Sequence, residues 1–282
     1  MEKFPGLKPL RLLFATDLHG SESAYVQLLA KADELAADAV VLGGDLTPHS
    51  DPAGQALFLR TFLRPQLERF HAANPARRVF GLLGNDDWIA GEALFNALED
   101  DGLLAGLHRR VHPLTENLWI AGLSYVPVTP FGISDWDRLD TAGCTPPRKG
   151  RGPLFSDSGK IVSGSMEKIV ARPTVETELA ALARLSDPAK TVYVIHTPPF
   201  NTKLDLMHDM QHIGSAAVRR FIETHRPPLT LHGHIHESAS LSGSIADHLG
   251  PTLSLNPGDS RETLRAVSIE IAGSAVTWQA VK

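Results

Sequence analysis

The sequence has little cysteine and no long apolar segment. Cys144 is the single cysteine among 282 residues, so no disulfide can form within the chain and a scaffold stapled by internal bridges is excluded. No apolar run approaches the ~18–20 residues that a helix needs to cross a bilayer. Residues 10–15 are too short, and are interrupted by Arg11, to act as the apolar part of a signal peptide. We therefore expect a cytoplasmic protein that is not associated with a membrane.

The chain also lacks an excess of positive charge. Its 27 Lys and Arg residues are outnumbered by 32 Asp and Glu residues, which gives a formal net charge of −5. Affinity for nucleic acid depends largely on basic side chains that meet phosphates. Nucleic acid is therefore disfavoured as a partner, whereas this argument does not affect a small anionic ligand held by metal ions.

Short apolar runs alternate with amphipathic stretches in the first hundred residues. Strands are predicted at 10–16, 39–42 and 78–83, and helices at 21–37, 53–71 and 91–101. Such alternation is typical of a mostly parallel sheet with helical crossovers. Further strands are predicted at 118–123, 191–195 and 229–232, with helices at 175–185 and 215–225. The tail (252–255, 265–271 and 275–281) is interpreted as antiparallel β-structure.

The intervening stretch, about residues 127–173, has no clear periodicity and is rich in Gly, Ser and Pro. We interpret it as an irregular insertion near the mouth of a site, because the polar motifs resume after it. With 43% hydrophobic residues, the chain can bury a large core. Residues 1–282 are therefore expected to form a single domain.

Polar residues of the types that bind metals follow the predicted strands. They are Asp17, His19, Asp45, Asn85, His196, His234 and His236. Ligands of an open α/β sheet bind beyond the carboxyl ends of its strands, so these side chains are expected to converge. Mixed oxygen and nitrogen ligands favour Mn, Fe, Co, Ni or Zn over Ca or Mg.

Each of these motifs is weak evidence when it is taken alone. An Asp-x-His pair is more often a solvated turn, and a Gly-Asp pair is more often a plain turn. A single histidine after a strand is more often a core or capping residue. The ordered combination at successive strand ends is what favours a site for two divalent ions.

The motifs resemble those of the calcineurin-like metallophosphoesterase superfamily. Its pattern D-x-H, G-D, G-N-H-[DE], H and G-H-x-H is matched over about residues 10–236. The resemblance implies a four-layer α/β/β/α sandwich of two mixed β-sheets flanked by helices. It also implies that Asp17, His19 and His236 hold one ion, that Asn85, His196 and His234 hold the other, and that Asp45 bridges them. The segment that begins at His196 is similar to the class III cyclic-nucleotide phosphodiesterase-like branch.

The chain departs from that pattern at two positions. Pro48 replaces an aspartate that often follows the Gly-Asp motif, and Asp86 replaces the histidine after Asn85. The family histidine is thought to help protonate the leaving group. Aspartate has an ordinary pKa near ~3.9, so Asp86 is expected to be charged and to repel a phosphate unless it is protonated or paired. Loss of a positioned acid typically slows a reaction ~10²–10⁴-fold.

The resemblance therefore implies a two-metal phosphoester hydrolase that uses a metal-bridging hydroxide. A phosphodiesterase is favoured over a monoesterase, with Asp86 and Asn85 as catalytic residues and His212 and Lys203 as substrate contacts. Mn²⁺ is the favoured ion for an assay, with Fe, Zn, Ni and Co as alternatives. A metal-binding regulatory protein with little turnover and a nuclease are the competing hypotheses. An apolar edge in the β-rich tail would allow a homodimer.

Overall fold

The computed structural model of the protein describes residues 9–147, 149 and 152–281. Most of the polar amino-terminal stretch lies outside the described residues. In chain order the strands are β1 (Leu10–Ala15), β2 (Ala39–Leu42), β3 (Arg78–Gly81), β4 (Ala105–Gly106), β5 (Val111–Pro113), β6 (Trp119–Leu123), β7 (Val126–Pro127), β8 (Asp137–Arg138), β9 (Leu154–Asp157), β10 (Lys160–Ser163), β11 (Thr191–Ile195), β12 (Leu229–Leu231), β13 (Ala246–Leu249), β14 (Thr252–Leu255), β15 (Ala266–Ala272) and β16 (Ala275–Val281).

The α-helices are α1 (Glu22–Glu34), α2 (Pro52–Phe58), α3 (Arg64–Ala73), α4 (Glu92–Asp100), α5 (Met166–Val170), α6 (Val175–Leu182), α7 (Ala216–His225) and α8 (Ser238–Ser242). A π-helical turn, Leu59–Leu63, joins α2 to α3. Pro65 lies in the first turn of α3. Because proline has no backbone N–H to donate, the wider turn before it keeps the helical path continuous. Short 3₁₀ turns, Ile89–Gly91 and Pro188–Lys190, precede α4 and β11.

Two six-stranded mixed sheets form the centre of the molecule. The first has the order β16-β15-β1-β2-β3-β4, and the second has the order β13-β14-β12-β11-β6-β5. Strands β1 to β4 are parallel in the first sheet, and β6, β11, β12 and β14 are parallel in the second. Antiparallel strands complete the edges, namely β15 and β16 in one sheet and β5 and β13 in the other.

Alternate residues of the strands pack into two kinds of core, as period-two side-chain alternation requires. Leu12 and Phe14 of β1 share a buried cluster with Val192 and Val194 of β11, between the sheets. Leu13 on the opposite face of β1 belongs to a second cluster that contains residues of the helices. The layers are therefore helix, sheet, sheet and helix, and the predicted four-layer α/β/β/α sandwich is confirmed.

Two details differ from the sequence-based expectations. Thr252–Leu255 was expected in antiparallel β-structure; it does pair antiparallel with β13, but it also lies parallel to β12. The stretch expected to be irregular contains the β9–β10 hairpin and α5. These differences arise because strand direction is set by long-range partners and because the hairpin carries little apolar alternation, since β10 is largely exposed and β9 buries a single residue, Phe155.

Candidate metal centre

The predicted ligands lie in the loops that follow five central strands. Asp17, His19, Asp45 and His234 all have left-handed backbone conformations, with φ of 51°, 43°, 51° and 67°. Non-glycine residues rarely adopt this conformation, and it occurs mostly where surrounding structure holds a functional loop in place. Backbone hydrogen bonds supply that support, since the Asp17 amide donates to the Gly44 carbonyl (2.9 Å) and the His19 amide donates to the Asp45 carbonyl (2.8 Å).

One group of ligand atoms comes from Asp17, His19, Asp45 and His236. These atoms lie within 4.8 Å of one another. His236 Nε2 lies 3.2 Å from Asp17 Oδ1 and 3.2 Å from His19 Nε2. Two oxygens and two imidazole nitrogens that face one point are a suitable donor set for a divalent transition metal.

The second group is built around Asn85. Its Oδ1 lies 3.1 Å from His196 Nε2 and 2.6 Å from His234 Nδ1. Asp45 Oδ2 lies 3.3 Å from His196 Nε2 and 4.0 Å from His19 Nε2, so this carboxylate stands between the two groups. All seven residues that sequence reasoning selected as metal ligands therefore lie together.

Two glycines are required by this close approach. A Cβ atom at Gly84 would overlap the Asp45 carboxylate, and one at Gly233 would overlap the carboxylate of Asp17. The carboxylates thus lie directly against the backbone of neighbouring loops, which only glycine permits. Asp17 also accepts a hydrogen bond from the His234 amide (3.1 Å).

Burial and mutual charge shift the pKa values in the cluster. Burial alone would raise the pKa of Asp45, but the neighbouring His196 more than offsets it and holds that pKa well below its usual range. Burial likewise opposes charge on His196, yet the Asp45 carboxylate raises the pKa of His196 to about 10. His234, by contrast, has its pKa lowered to about 3 by burial. A metal ion would take the place of the protons that these groups share.

The residues fit a pair of divalent cations. Asp17 and Asp45 are 0% and 1% exposed, and their closest charged neighbours are imidazoles rather than Lys or Arg. Buried carboxylates are costly unless they are paired or coordinate metals. His19 Nδ1 is buried and has no hydrogen-bond partner among the described residues. Metal-bound histidines ordinarily donate from the second nitrogen, so this position is open to a further partner such as Asp86.

Asp86 stands beside His19 and His49 at the edge of the centre. Its Oδ2 lies 3.2 Å from His49 Nδ1 and 3.8 Å from His19 Nδ1, and the His49 ring stacks on His19 at 4.5 Å. Burial, followed by the charge of Asp45, raises the pKa of Asp86 to about 7. The expectation that Asp86 is charged unless it is protonated or paired stays open, since the carboxyl has both a raised pKa and a partner in His49. The sequence also missed His49, which lies four residues after Asp45.

A second set of residues supports the ligands, and the sequence had suggested no role for either of its carboxylates. Asp87 accepts hydrogen bonds from the amides of Leu46 (3.0 Å), Thr47 (2.8 Å) and Gly84 (2.8 Å), which ties two ligand loops together. Asp259 lies 3.4 Å from His236 Nδ1 and is paired with Arg261 at 2.8 Å. Asp87 follows directly on the Gly-Asn-Asp motif, whereas no spacing signal points to Asp259.

The predicted substrate contacts are paired with residues that are not among the ligands. His212 Nδ1 pairs with Asp205 Oδ1 at 2.8 Å, and the Lys203 amide donates to Asp247. Neither residue lines the cavity above the ligands. Their selection as substrate contacts gains no support from these positions.

That cavity has a volume of about 810 Å³ and opens onto Asp45, Asn85 and His234. His49, Asp86 and Arg261 also line it near the ligands. Its remaining walls are mainly apolar. A space of this size, next to a converging set of metal-type ligands, is suited to a small-molecule substrate.

The comparisons with known proteins agree with the geometry. The family model described as calcineurin-like phosphoesterase matches residues 10–238, so the chain belongs to the calcineurin-like phosphoesterase family. No curated protein matches the chain. Among the described residues, no helix is long and apolar enough to cross a membrane.

Solved structures resemble the chain over nearly its whole length. One shares 15% identity at a TM-score of 0.61, covering 97% of this chain and 100% of its own. TT1561 of Thermus thermophilus shares 18% identity at a TM-score of 0.59, covering 98% and 100%. A dimetal phosphatase from Danio rerio shares 11% identity at a TM-score of 0.49, covering 97% and 98%. At these identities the first two support the fold alone.

Proposed function

We propose that the protein is a two-metal phosphoester hydrolase that prefers phosphodiesters. The observation that carries the proposal is the position of Asp45, whose carboxylate lies between the two groups of ligand atoms. Asp17, His19 and His236 would hold one ion, and Asn85, His196 and His234 would hold the other. Bound there, the ions would activate a water molecule near neutral pH and offset the charge of the phosphate.

The chain's own residues would orient and neutralise the substrate. Arg261 lines the cavity beside His236 and can meet a phosphoryl oxygen with its guanidinium group. The Asn85 amide nitrogen donates to Asp86 Oδ1 (3.1 Å), which fixes the side chain with its oxygen toward His196 and His234. Asp87 would keep the loops of Asp45 and Gly84 in register.

The preference for phosphodiesters follows from charge. A diester carries one negative charge at neutral pH, whereas a monoester carries nearly two. Asp86 lines the cavity next to the ligands, and its carboxylate disfavours the second charge. Asp86 can also donate a proton to a leaving group while it is protonated. These are the grounds on which we select Asp86 as a catalytic residue. Asn85 is selected because its amide oxygen faces His196 and His234 in the second group of ligand atoms.

The experiment that tests this proposal compares Mn²⁺-dependent hydrolysis of bis-p-nitrophenyl phosphate and p-nitrophenyl phosphate. We expect turnover of the diester to exceed that of the monoester and to fall at least ~10²-fold in Asp45→Asn, because the bridging charge is removed while the shape is retained. Asp157→Asn, an exposed aspartate on β9, is the matched control. Unchanged activity in Asp45→Asn would overturn the proposal.

The alternative is a metal-binding regulatory protein of the same fold. It is favoured by one observation, the replacement of the family's histidine by Asp86. In that case the protein would bind Mn²⁺ but hydrolyse neither ester. Metal content measured on the same preparation would separate this case from a failure to bind metal.

A further inference from the structure

The cavity above the ligands is lined by two kinds of side chain. Asp45, His234 and Arg261 are polar or charged. Val128, Phe131 and Ile213, together with neighbouring prolines and a methionine, supply apolar surface. Among the described lining residues, Thr129 and Glu237 are the polar side chains beyond the cluster around the ligands.

Two of the apolar wall residues are unusually exposed for their size. Phe131 is 59% exposed and Ile213 is 39% exposed. Exposed apolar surface that faces a shared cavity gains free energy when a ligand removes it from water. Their common orientation toward one space distinguishes them from apolar residues scattered singly over a surface.

Hydrogen bonds hold the backbone of both exposed apolar residues. Lys149 Nζ donates to the Phe131 carbonyl (2.6 Å) and pairs with Asp137 (2.7 Å), whose side chain is fully buried. The Ile213 amide donates to the Asp205 carbonyl (3.1 Å), and the buried Asp205 carboxylate also holds His212. The backbone segments that carry these side chains are therefore held in place before a ligand arrives, which lowers the entropic cost of binding.

The charge distribution indicates a ligand with a single negative charge. Arg261 lines the cavity beside His236, and the carboxylates of Glu237 and Asp86 also line it. A second anionic group would meet these carboxylates. A nucleobase would leave its polar edge facing apolar side chains, and unpaired polar groups are costly to bury.

We propose that the substrate is a phosphodiester monoanion with a bulky apolar substituent that contacts Phe131 and Ile213. This inference rests on the proposed function for the position of the phosphate. The apolar substituent is an alkyl chain or an aryl ring, both of which match the wall chemistry.

Binding of uncleavable phosphinates tests the inference independently of turnover. Dimethyl-, butylmethyl-, hexylmethyl- and methylphenylphosphinate are monoanions whose P–C bonds are not hydrolysed. Calorimetric titration of the Mn²⁺-loaded protein should show affinity rising at least tenfold from dimethyl to butylmethyl, since each buried methylene contributes about fourfold. Comparison of the hexyl and phenyl ligands distinguishes the two sources of the substituent.

Variants of two cavity residues test whether the gain in affinity arises in the cavity. Phe131→Ala and Ile213→Ala should each reduce the gain in affinity from dimethyl- to butylmethylphosphinate by at least threefold. Leu57→Ala, which changes a similarly exposed side chain (60%) on α2, should leave it unchanged. Equal affinities for dimethyl- and butylmethylphosphinate, or a gain that survives Phe131→Ala combined with Ile213→Ala, would overturn the inference. If the affinity depends on chain length but neither ester is hydrolysed, the hydrolase proposal is wrong and the apolar site is still supported.

Discussion

Asp86 shows how one residue changes the chemistry expected of a motif. A histidine at this position would present an imidazole to the leaving group, whereas the aspartate presents a carboxyl group. Burial raises the pKa of this carboxyl group to about 7. The nearby His49 lies 3.2 Å from that carboxyl. The sequence identified the replacement, but neither the raised pKa nor the partner follows from the spacing of the motif.

The Asp86→His variant should increase turnover, because an imidazole can carry the proton for the leaving group without the negative charge that the Asp86 carboxylate adds once it is deprotonated. An acid at this position assists most when the leaving group is poor, so we expect kcat to rise about 10²-fold for an alkyl phosphodiester and less for bis-p-nitrophenyl phosphate. The Asp86→Asn variant removes the charge without providing an imidazole. It should not reproduce the leaving-group dependence, and equal gains in both variants would contradict a role in proton transfer.

At the scale of elements, the ligand positions were predictable because they lie directly after strands whose apolar runs are clear in the sequence. Short buried runs such as Leu10–Ala15 and Thr191–Ile195 end at the residues that converge, and parallel strands bring their carboxyl ends to one edge. Asp259 and Arg261 follow β14, whose parallel pairing with β12 depends on long-range packing. Their contribution to the site could not be read from the sequence for that reason.

The connection between β4 and β5 carries a partly buried histidine, His108, that links stability to pH. His108 Nδ1 accepts a hydrogen bond from the Ser124 amide (3.0 Å), and its ring packs against Tyr125 and Trp136. Burial, followed by the charge of Arg109, lowers the pKa of His108 to about 3. Between about pH 3 and pH 6.5 the unfolded chain therefore binds a proton at His108, whereas the folded chain does not.

The lowered pKa of His108 determines the direction in which folding stability changes with pH. The stability that His108 contributes is present above about pH 6.5 and is lost as pH falls toward about 3. Between pH 6.5 and pH 5 the loss should reach about 2 kcal/mol. Urea unfolding of chelated protein should show a flatter pH dependence in His108→Gln than in wild type. His248→Gln, at an exposed position, is the control, and parallel pH profiles for wild type and His108→Gln would contradict the assignment.

At the scale of the whole molecule, the candidate centre joins the two sheets. Asp17 and Asp45 follow strands of the first sheet, and His196 and His234 follow strands of the second. The Gly233 amide donates to the His196 carbonyl, and His196 Nδ1 faces the Gly43 carbonyl at 2.9 Å. Because both sheets contribute ligands to the same centre, bound ions would resist separation of the sheets.

Removal of metal should consequently destabilise the entire fold rather than one loop. An ion present at about 1,000 times its dissociation constant stabilises the folded state by about 4 kcal/mol. For a chain of 282 residues, that corresponds to a fall in Tm of roughly 7 °C upon chelation. Differential scanning calorimetry with EDTA, and then with increasing Mn²⁺, measures the effect. The shift should be largely lost in Asp45→Asn and retained in Asp157→Asn. Equal melting temperatures of the wild-type protein with EDTA and with Mn²⁺ would show that the centre does not hold the sheets together.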